Sequence, residues 1–450
     1  MILSGVAVIV SVLKAPRFPI NDPALFEYFG RSILHGEQLY GATLSDIKLP
    51  SIYLVNVLWQ FLFGSNYFLH TCAAALVNLA SIALFALTLR KFGVRAWALG
   101  TFLFAAFFTL PFPQFDYAQH YAAFFIVLGV WLAASERFVL AGLSLAVATT
   151  FWLPAALTCI PLLLQPLRRQ QRVALVAGLF GVTAVLVLAT LVAFGRSIVG
   201  FIFVWMSYLH AIDVPVARLR ETLLDSALGS SILAMLAMLA VVVRRPATRA
   251  ERFALIWSGC MLAGFAIPPR FSEHYLLPAV PALAMAIAAY DPSLIAARRR
   301  ALVALVALGL LVFAARNSIR HGQHVDAYAA YAQRIGHWIG ANLGVGAVIY
   351  TFEFVPEVLL AADGVSPGRT YEQDGNFARE RIPDVLVFGP YNPPDVARRH
   401  LDITARRQSV TVTYVPVCAG RTGELIVYVV SSKAGVFACR PKPKSSGTPQ

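Results

Sequence analysis

Apolar residues along this chain come in long runs rather than at the three-to-four-residue spacing of a helix with one wet face. Such runs occupy residues 66–89, 96–112, 121–135, 138–164, 173–194, 228–243, 253–267, 274–290 and 301–315. About 20 apolar residues in a helix cross a hydrocarbon core ~30 Å thick. Within lipid only a helix or a closed barrel satisfies its own N–H and C=O groups. The runs therefore predict transmembrane helices. That at 138–164 is interrupted at Trp152–Pro154 and reads as two short spans. With the run at 2–13, the pattern gives about eleven spans. Residues 2–13 are short for a crossing and lack a charged n-region and a small-residue cleavage site. They are expected to be part of a longer first helix, or a tilted and incomplete one.

Arg and Lys fix the orientation. They gather in the turns at Arg90, Lys91 and Arg95, at Arg168, Arg169 and Arg172, at Arg244, Arg245, Arg249 and Arg252, and at Arg298–Arg300. Cytoplasmic turns carry such excess positive charge, and the path above puts every cluster on one side. The composition agrees: 58% of residues are hydrophobic and 13% charged, where a soluble domain carries about 25% charge. The net charge of +14 is thus accounted for by topology, and nucleic acid is not an expected partner. The lipid bilayer is.

From about residue 317 the character changes. Short β-branched runs, "GAVIYTF", "PDVLVFG", "VTVTYVPV" and "ELIVYVV", alternate with helix-like stretches at 325–342 and 376–381. This predicts a small C-terminal α/β domain over 317–440, extracytoplasmic by topology, followed by a disordered tail at 441–450. Cys418 and Cys439 fall in that domain, where a disulfide and two free thiols are both open readings. Cys72, Cys159 and Cys260 lie in spans and read as small apolar fillers. Residues 1–316 form the transmembrane domain, with a first outer loop over about 15–65.

The acids sort by side. Asp22, Glu27, Glu37, Asp46, Asp116, Asp213, Glu221, Asp225 and Glu273 fall in outer loops, and Glu136, Glu251 and Asp291 in inner ones. Ion-coupled carriers keep ionisable groups near the bilayer midplane, so this distribution places any chemistry at the outer surface. The first outer loop is patterned. "DPALFEYFGRSIL" sets Leu25, Phe26, Phe29, Ile33 and Leu34 at helical spacing behind Asp22 and Pro23. It predicts an amphipathic helix lying on the membrane. "LPSIYLVNVLWQFLFG" predicts a second, opened by Pro50 and closed by Gly64, with Tyr53 and Trp59 suited to the interface. "LYGATLSDIKLP" joins them.

The string running from Asp22 through G-R-x-I-L-x-G-x-x-L-Y to D-x-K-x-P-x-x-Y and F-G resembles the first outer loop of GT-C glycosyltransferases. The similarity is to the family 39-like branch of protein O-mannosyltransferases and lipid A aminoarabinose transferases. "AGLSLAVATTFWLPAALTCIPLLL" is similar to that family's short paired spans, "RFSEHYLLPAVPALAMA" to its late outer-loop motif, and "VIYTFEFVPEVLLAADGVSPGRTY" to the start of its soluble tail. The resemblance implies an inverting transferase at the outer face of a bacterial inner membrane. It would move a sugar from a polyprenyl-phosphate donor to a glycan, lipid A/core or protein acceptor. It also implies a catalytic base at Asp22, a second acid at Asp116, donor-phosphate contacts at Lys48 and Arg270, and substrate contacts at Asp46, His274 and Tyr275. A positioned carboxylate makes a hydroxyl a competent nucleophile, and a cation steadies a departing phosphate.

Relatives often have Asp-Glu where this chain has Asp22-Pro23, and two prolines where it has Leu49-Pro50. No motif calls for a cofactor. A divalent metal is compatible with Asp22, Asp46, Asp116 and His274, whose separations carry no ligand spacing. Two other classes fit a polytopic chain: an O-antigen polymerase or ligase, and a non-enzymatic carrier or flippase for lipid-linked sugar.

Overall fold

The computed structural model describes residues 18–19, 21–39, 48–111, 115–195, 219–243, 245–267, 271–290, 330–351, 356–364, 383–388, 414–418 and 426–430, with 309, 312 and 316. The expected span at 2–13, all of that at 301–315 but residues 309 and 312, the helix at 376–381, Asp46, Arg270 and Cys439 lie outside them. The chain falls into two compact units. One takes residues 47–326, with 1–17; the other takes 18–46 together with 327–450.

In the first unit, helices form where the apolar runs lie. They are α2 (Ser51–Phe63), α3 (Tyr67–Lys91), α4 (Trp97–Thr109), α5 (Ala118–Ala134), α6 (Phe138–Thr149), α7 (Cys159–Leu163), α8 (Arg169–Phe194), α9 (Ala227–Val242), α10 (Arg249–Ala266) and α11 (Ala279–Ala289). The residues α3 Tyr67–Lys91 and α8 Arg169–Ala193 are long and apolar enough to cross a membrane unaided. Helix ends follow local chemistry. Pro50 precedes α2, and Gly64 ends it at φ +58°, a conformation costly for a side chain. Thr248 and Glu251 form a capping box at the start of α10.

The break at Trp152–Pro154 is present: α6 stops at Thr149, Trp152 is extended, and Leu153–Thr158 forms a 3₁₀ turn ahead of α7. Hydroxyls buried among the helices bond backward along their own helix. Ser81, Thr88, Thr101, Thr109, Ser231 and Ser258 each donate to the carbonyl four residues earlier, which gives each hydroxyl proton an acceptor within its own helix. Small residues set the closest crossings. A Cβ on Gly142 would run into the Leu175 carbonyl of α8, and one on Gly178 into the Val139 carbonyl of α6, so both must be glycine for the two helices to meet.

α2 turns a soluble helix inside out. Its polar Asn56 and Gln60 are buried with Ile52 and Tyr53, while Leu54, Leu58, Phe61 and Leu62 are exposed. An apolar stripe outward and amides inward is the pattern of a helix solvated by lipid on one side. Tyr53, expected at the interface, is wholly buried.

The second unit holds a mixed four-stranded sheet of β1 (Ile349–Thr351), β2 (Val385–Phe388), β3 (Tyr414–Cys418) and β4 (Ile426–Val430), in the order β1-β2-β4-β3. β1 and β2 run parallel, Ile349 opposite Val385; β2–β4 and β4–β3 are antiparallel. Pro416 sits in β3, at the edge, where a missing N–H is tolerated. Residues 330–343 form α12, and Gly336 and Gly340, one turn apart, let this helix approach α13 (Pro356–Ala362) closely.

The predicted first-loop helix, α1 (Asn21–Leu34), belongs to this second unit and packs on α13. The sequence pattern lays its apolar face on the membrane. In the structure Leu25, Phe26 and Phe29 are buried in protein, because Arg31 ties the helix to α13 through contacts that no local pattern encodes.

Candidate active site

In the helical unit the acid of the segment between α4 and α5 is the centre of a polar network. Chain leaving α4 reaches α5 through Phe115, Asp116 and Tyr117, the last in an extended cap conformation at ψ 143°. Asp116 is 6% exposed. Tyr121 lies one turn into α5, so its hydroxyl reaches back and donates to Asp116 Oδ1 at 3.1 Å. Trp59 of α2 in turn donates its indole N–H to the Tyr121 oxygen, also at 3.1 Å. The Tyr121 ring stacks on Phe151, just beyond the end of α6, at 5.5 Å and 21°.

The same α2 carries Lys48 ahead of its first turn. Lys48 is half-buried, and three residues on, Ser51 donates to the Thr150 hydroxyl at 2.7 Å. α2 is thus held at its start against the end of α6 and, eight residues later, against α5. These anchors are about 12 Å apart along the helix axis. Lys48 and Asp116 therefore mark two ends of a built surface.

The loop between α10 and α11 is held by the segment before α9. Thr222 donates to the Phe271 carbonyl at 2.5 Å, and Ser226, whose hydroxyl donates to the Thr222 carbonyl at 2.6 Å, lies beside Glu273. Burial pushes the Glu273 carboxyl above the usual carboxylate range, and the neighbouring Ser226 hydroxyl opposes that rise. This tether presents His274 to Tyr117 with ring centroids 4.9 Å apart, and Tyr275 packs on His274 at 4.6 Å. His120, buried one turn into α5, contacts Tyr117 and Phe108.

Of the sequence-derived residues, the structure brings Asp116, His274 and Tyr275 into one constellation through Tyr117, and places Lys48 just ahead of a helix tied to it. Asp22 stands in the first turn of α1, within the second unit. Among the described residues no three of His, Cys, Asp and Glu gather as a metal-ligand group. Asp46, one of the four acids and histidines considered for a metal, lies outside those residues.

The sequence pattern did not single out Tyr121, and it suited Trp59 to the interface. "DYAQHY" does contain a signal: Tyr117, His120 and Tyr121 share one helical face next to an acid.

No family model and no curated protein sequence matches the chain. Solved structures do. The crystal structure of ArnT from Cupriavidus metallidurans bound to undecaprenyl phosphate superposes with a TM-score of 0.65 at 17% identity, over 96% of this chain and 98% of that one. The apo structure of the same protein gives 0.64 at 14% identity, over 98% of each chain. ArnT is a lipid A aminoarabinose transferase of the GT-C fold. Over nearly its whole length, this chain has that polytopic GT-C fold.

Proposed function

We propose that the protein is an inverting glycosyltransferase that moves a sugar from a polyprenyl-phosphate donor to an envelope acceptor at the outer face of the inner membrane. The observation that carries this reading is the full-length likeness to a transferase structure that holds undecaprenyl phosphate. The network on Asp116, built in a unit whose helices are largely apolar, supports a site in the same chain.

The proposed step balances simply. Asp22 takes the proton of an acceptor hydroxyl as its oxygen forms a bond to the anomeric carbon. The bond from that carbon to the phosphate oxygen breaks on the opposite side, and the lipid phosphate leaves with the electron pair. Lys48 and Arg270 balance the charge that grows on it. Asp116, held by Tyr121, serves as the second acid, and Asp46, His274 and Tyr275 contact substrate.

The test is transfer in membrane vesicles from a labelled polyprenyl-phosphate sugar, read by mass spectrometry of envelope glycans. Positioned acid–base groups contribute about 10²- to 10⁴-fold, so Asp22→Asn should lose at least the lower figure. A near-normal rate removes Asp22 as the base. Lys48→Ala should weaken donor use with little change in melting; unchanged donor affinity ends that assignment. A carrier would move lipid-linked sugar and form no covalent product.

A further inference from the structure

Arg31, in the last turn of α1, has a side chain only 14% exposed. Its guanidinium reaches the C-terminal end of α13. Nη1 lies 2.7 Å from an Asp363 carboxylate oxygen and donates to the Leu360 carbonyl at 3.1 Å; Nη2 donates to the carbonyls of Leu359 and Gly364, both at 3.4 Å. One turn earlier on α1, the Tyr28 ring stands 5.7 Å from Arg31 Cζ.

The acceptors are arranged by the way α13 ends. Asp363 takes the left-handed conformation, φ +52°, just beyond the helix, which turns the chain so that Gly364 N–H bonds back to Leu359 O at 3.0 Å. Helix ends leave carbonyls without partners inside the helix, and here the rigid fork of one guanidinium collects two of them, a third from the turn, and a carboxylate. Four acceptors in fixed directions set where α1 lies and how it is rotated about its axis. Lysine, a single point donor on a flexible stem, could not do both.

Rotation matters because Asp22 is on the same helix. Nine residues at about 100° each bring it about half a turn round α1 from Arg31, and about 13 Å along it. We infer that Arg31 is a positioning residue: by locking α1 to the C-terminal unit it presents Asp22 on the opposite face of that helix. The inference rests on the assignment of Asp22 as the base and adds to it a role for the C-terminal unit, which becomes the mount of a catalytic group.

The test uses the full-length protein in nanodiscs, with Arg31→Ala, Arg31→Lys, Asp22→Asn and the Arg31→Ala/Asp22→Asn double variant. Transfer kinetics and amide exchange of residues 21–34 are both read. Arg31→Ala is expected to lower kcat at least tenfold with the donor KM within about twofold, and to raise exchange across α1. Arg31→Lys should recover part of kcat. The double variant should be no slower than Asp22→Asn alone, since a misplaced base that is already absent costs nothing more. A kcat within twofold of the parent in Arg31→Ala overturns the inference, as does a full tenfold loss added on the Asp22→Asn background. If Asp22→Asn itself keeps its rate, the base assignment fails and the exchange data decide the latch: raised exchange in Arg31→Ala upholds the lock on α13, and unchanged exchange overturns it.

Discussion

The bridge from Trp59 through Tyr121 to Asp116 can be taken apart one bond at a time. Tyr121→Phe removes a donor to Asp116 and the acceptor of the Trp59 indole, both at 3.1 Å, while keeping the ring that stacks on Phe151. A hydrogen bond to a charged group contributes about 1.5–3 kcal/mol. Bonds between membrane helices measured by double-mutant cycles average about 0.6 kcal/mol and reach about 1.7. The Tyr121–Asp116 bond belongs to the first class when its acceptor is the carboxylate, and the neutral Trp59–Tyr121 bond between α2 and α5 to the second. Tyr121→Phe should therefore cost roughly 2–3.5 kcal/mol.

Trp59→Phe in the Tyr121→Phe background should cost less than in the parent, since the indole N–H has already lost this acceptor. The difference between those two costs is expected near 0.6 kcal/mol. Equilibrium unfolding of the four proteins in mixed detergent–SDS micelles measures it. Single changes that add to within about 0.3 kcal/mol would refute the coupling, and with it the view that α2 is pinned on the acid of the second loop.

Two further outcomes follow from packing and burial. Gly142→Ala, which drives a methyl into the backbone of α8, should destabilise by about 1–3 kcal/mol, whereas Gly181→Ala, on the same α8 with nothing within 4 Å of the new Cβ, should gain about 0.5–1 kcal/mol; the same unfolding assay reads both. Glu273 has its folded carboxyl raised by burial, so its stabilising contribution is complete below the unfolded value and is lost as pH rises through the folded one. Glu273→Gln, which imitates the protonated acid, should thus match the parent near pH 4 and become increasingly the more stable of the two toward pH 8; a gap that closes with rising pH would contradict this.

Features with local causes were legible in the sequence. Apolar runs bounded by Arg clusters locate most helices of the first unit to within a few residues. Pro50 and Gly64 bracket α2, and Pro154 marks the break after α6. What stayed hidden depends on contacts between distant residues. Nothing near Arg31 signals Leu359, Leu360 or Asp363, and an amphipathic pattern reads the same whether its apolar face meets lipid or protein. Trp59 and Tyr53 look alike as interfacial aromatics, yet one donates to Tyr121 and the other is wholly buried. The inverted face of α2 was likewise masked, since Asn56 and Gln60 among leucines carry no sign of which side is wet.

The Arg31 contact also sets an order of events in biogenesis. Its partners lie 328 to 333 residues further along the chain. At about 5–20 residues per second of synthesis, α1 emerges some 15–65 seconds before α13 exists. During that interval Leu25, Phe26 and Phe29 lack the domain on which α1 finally packs, and the bilayer surface is the nearest apolar refuge. The same amphipathic helix would thus serve first as a membrane-parked intermediate and then as a domain element, with completion of the C-terminal unit as the switch between the two.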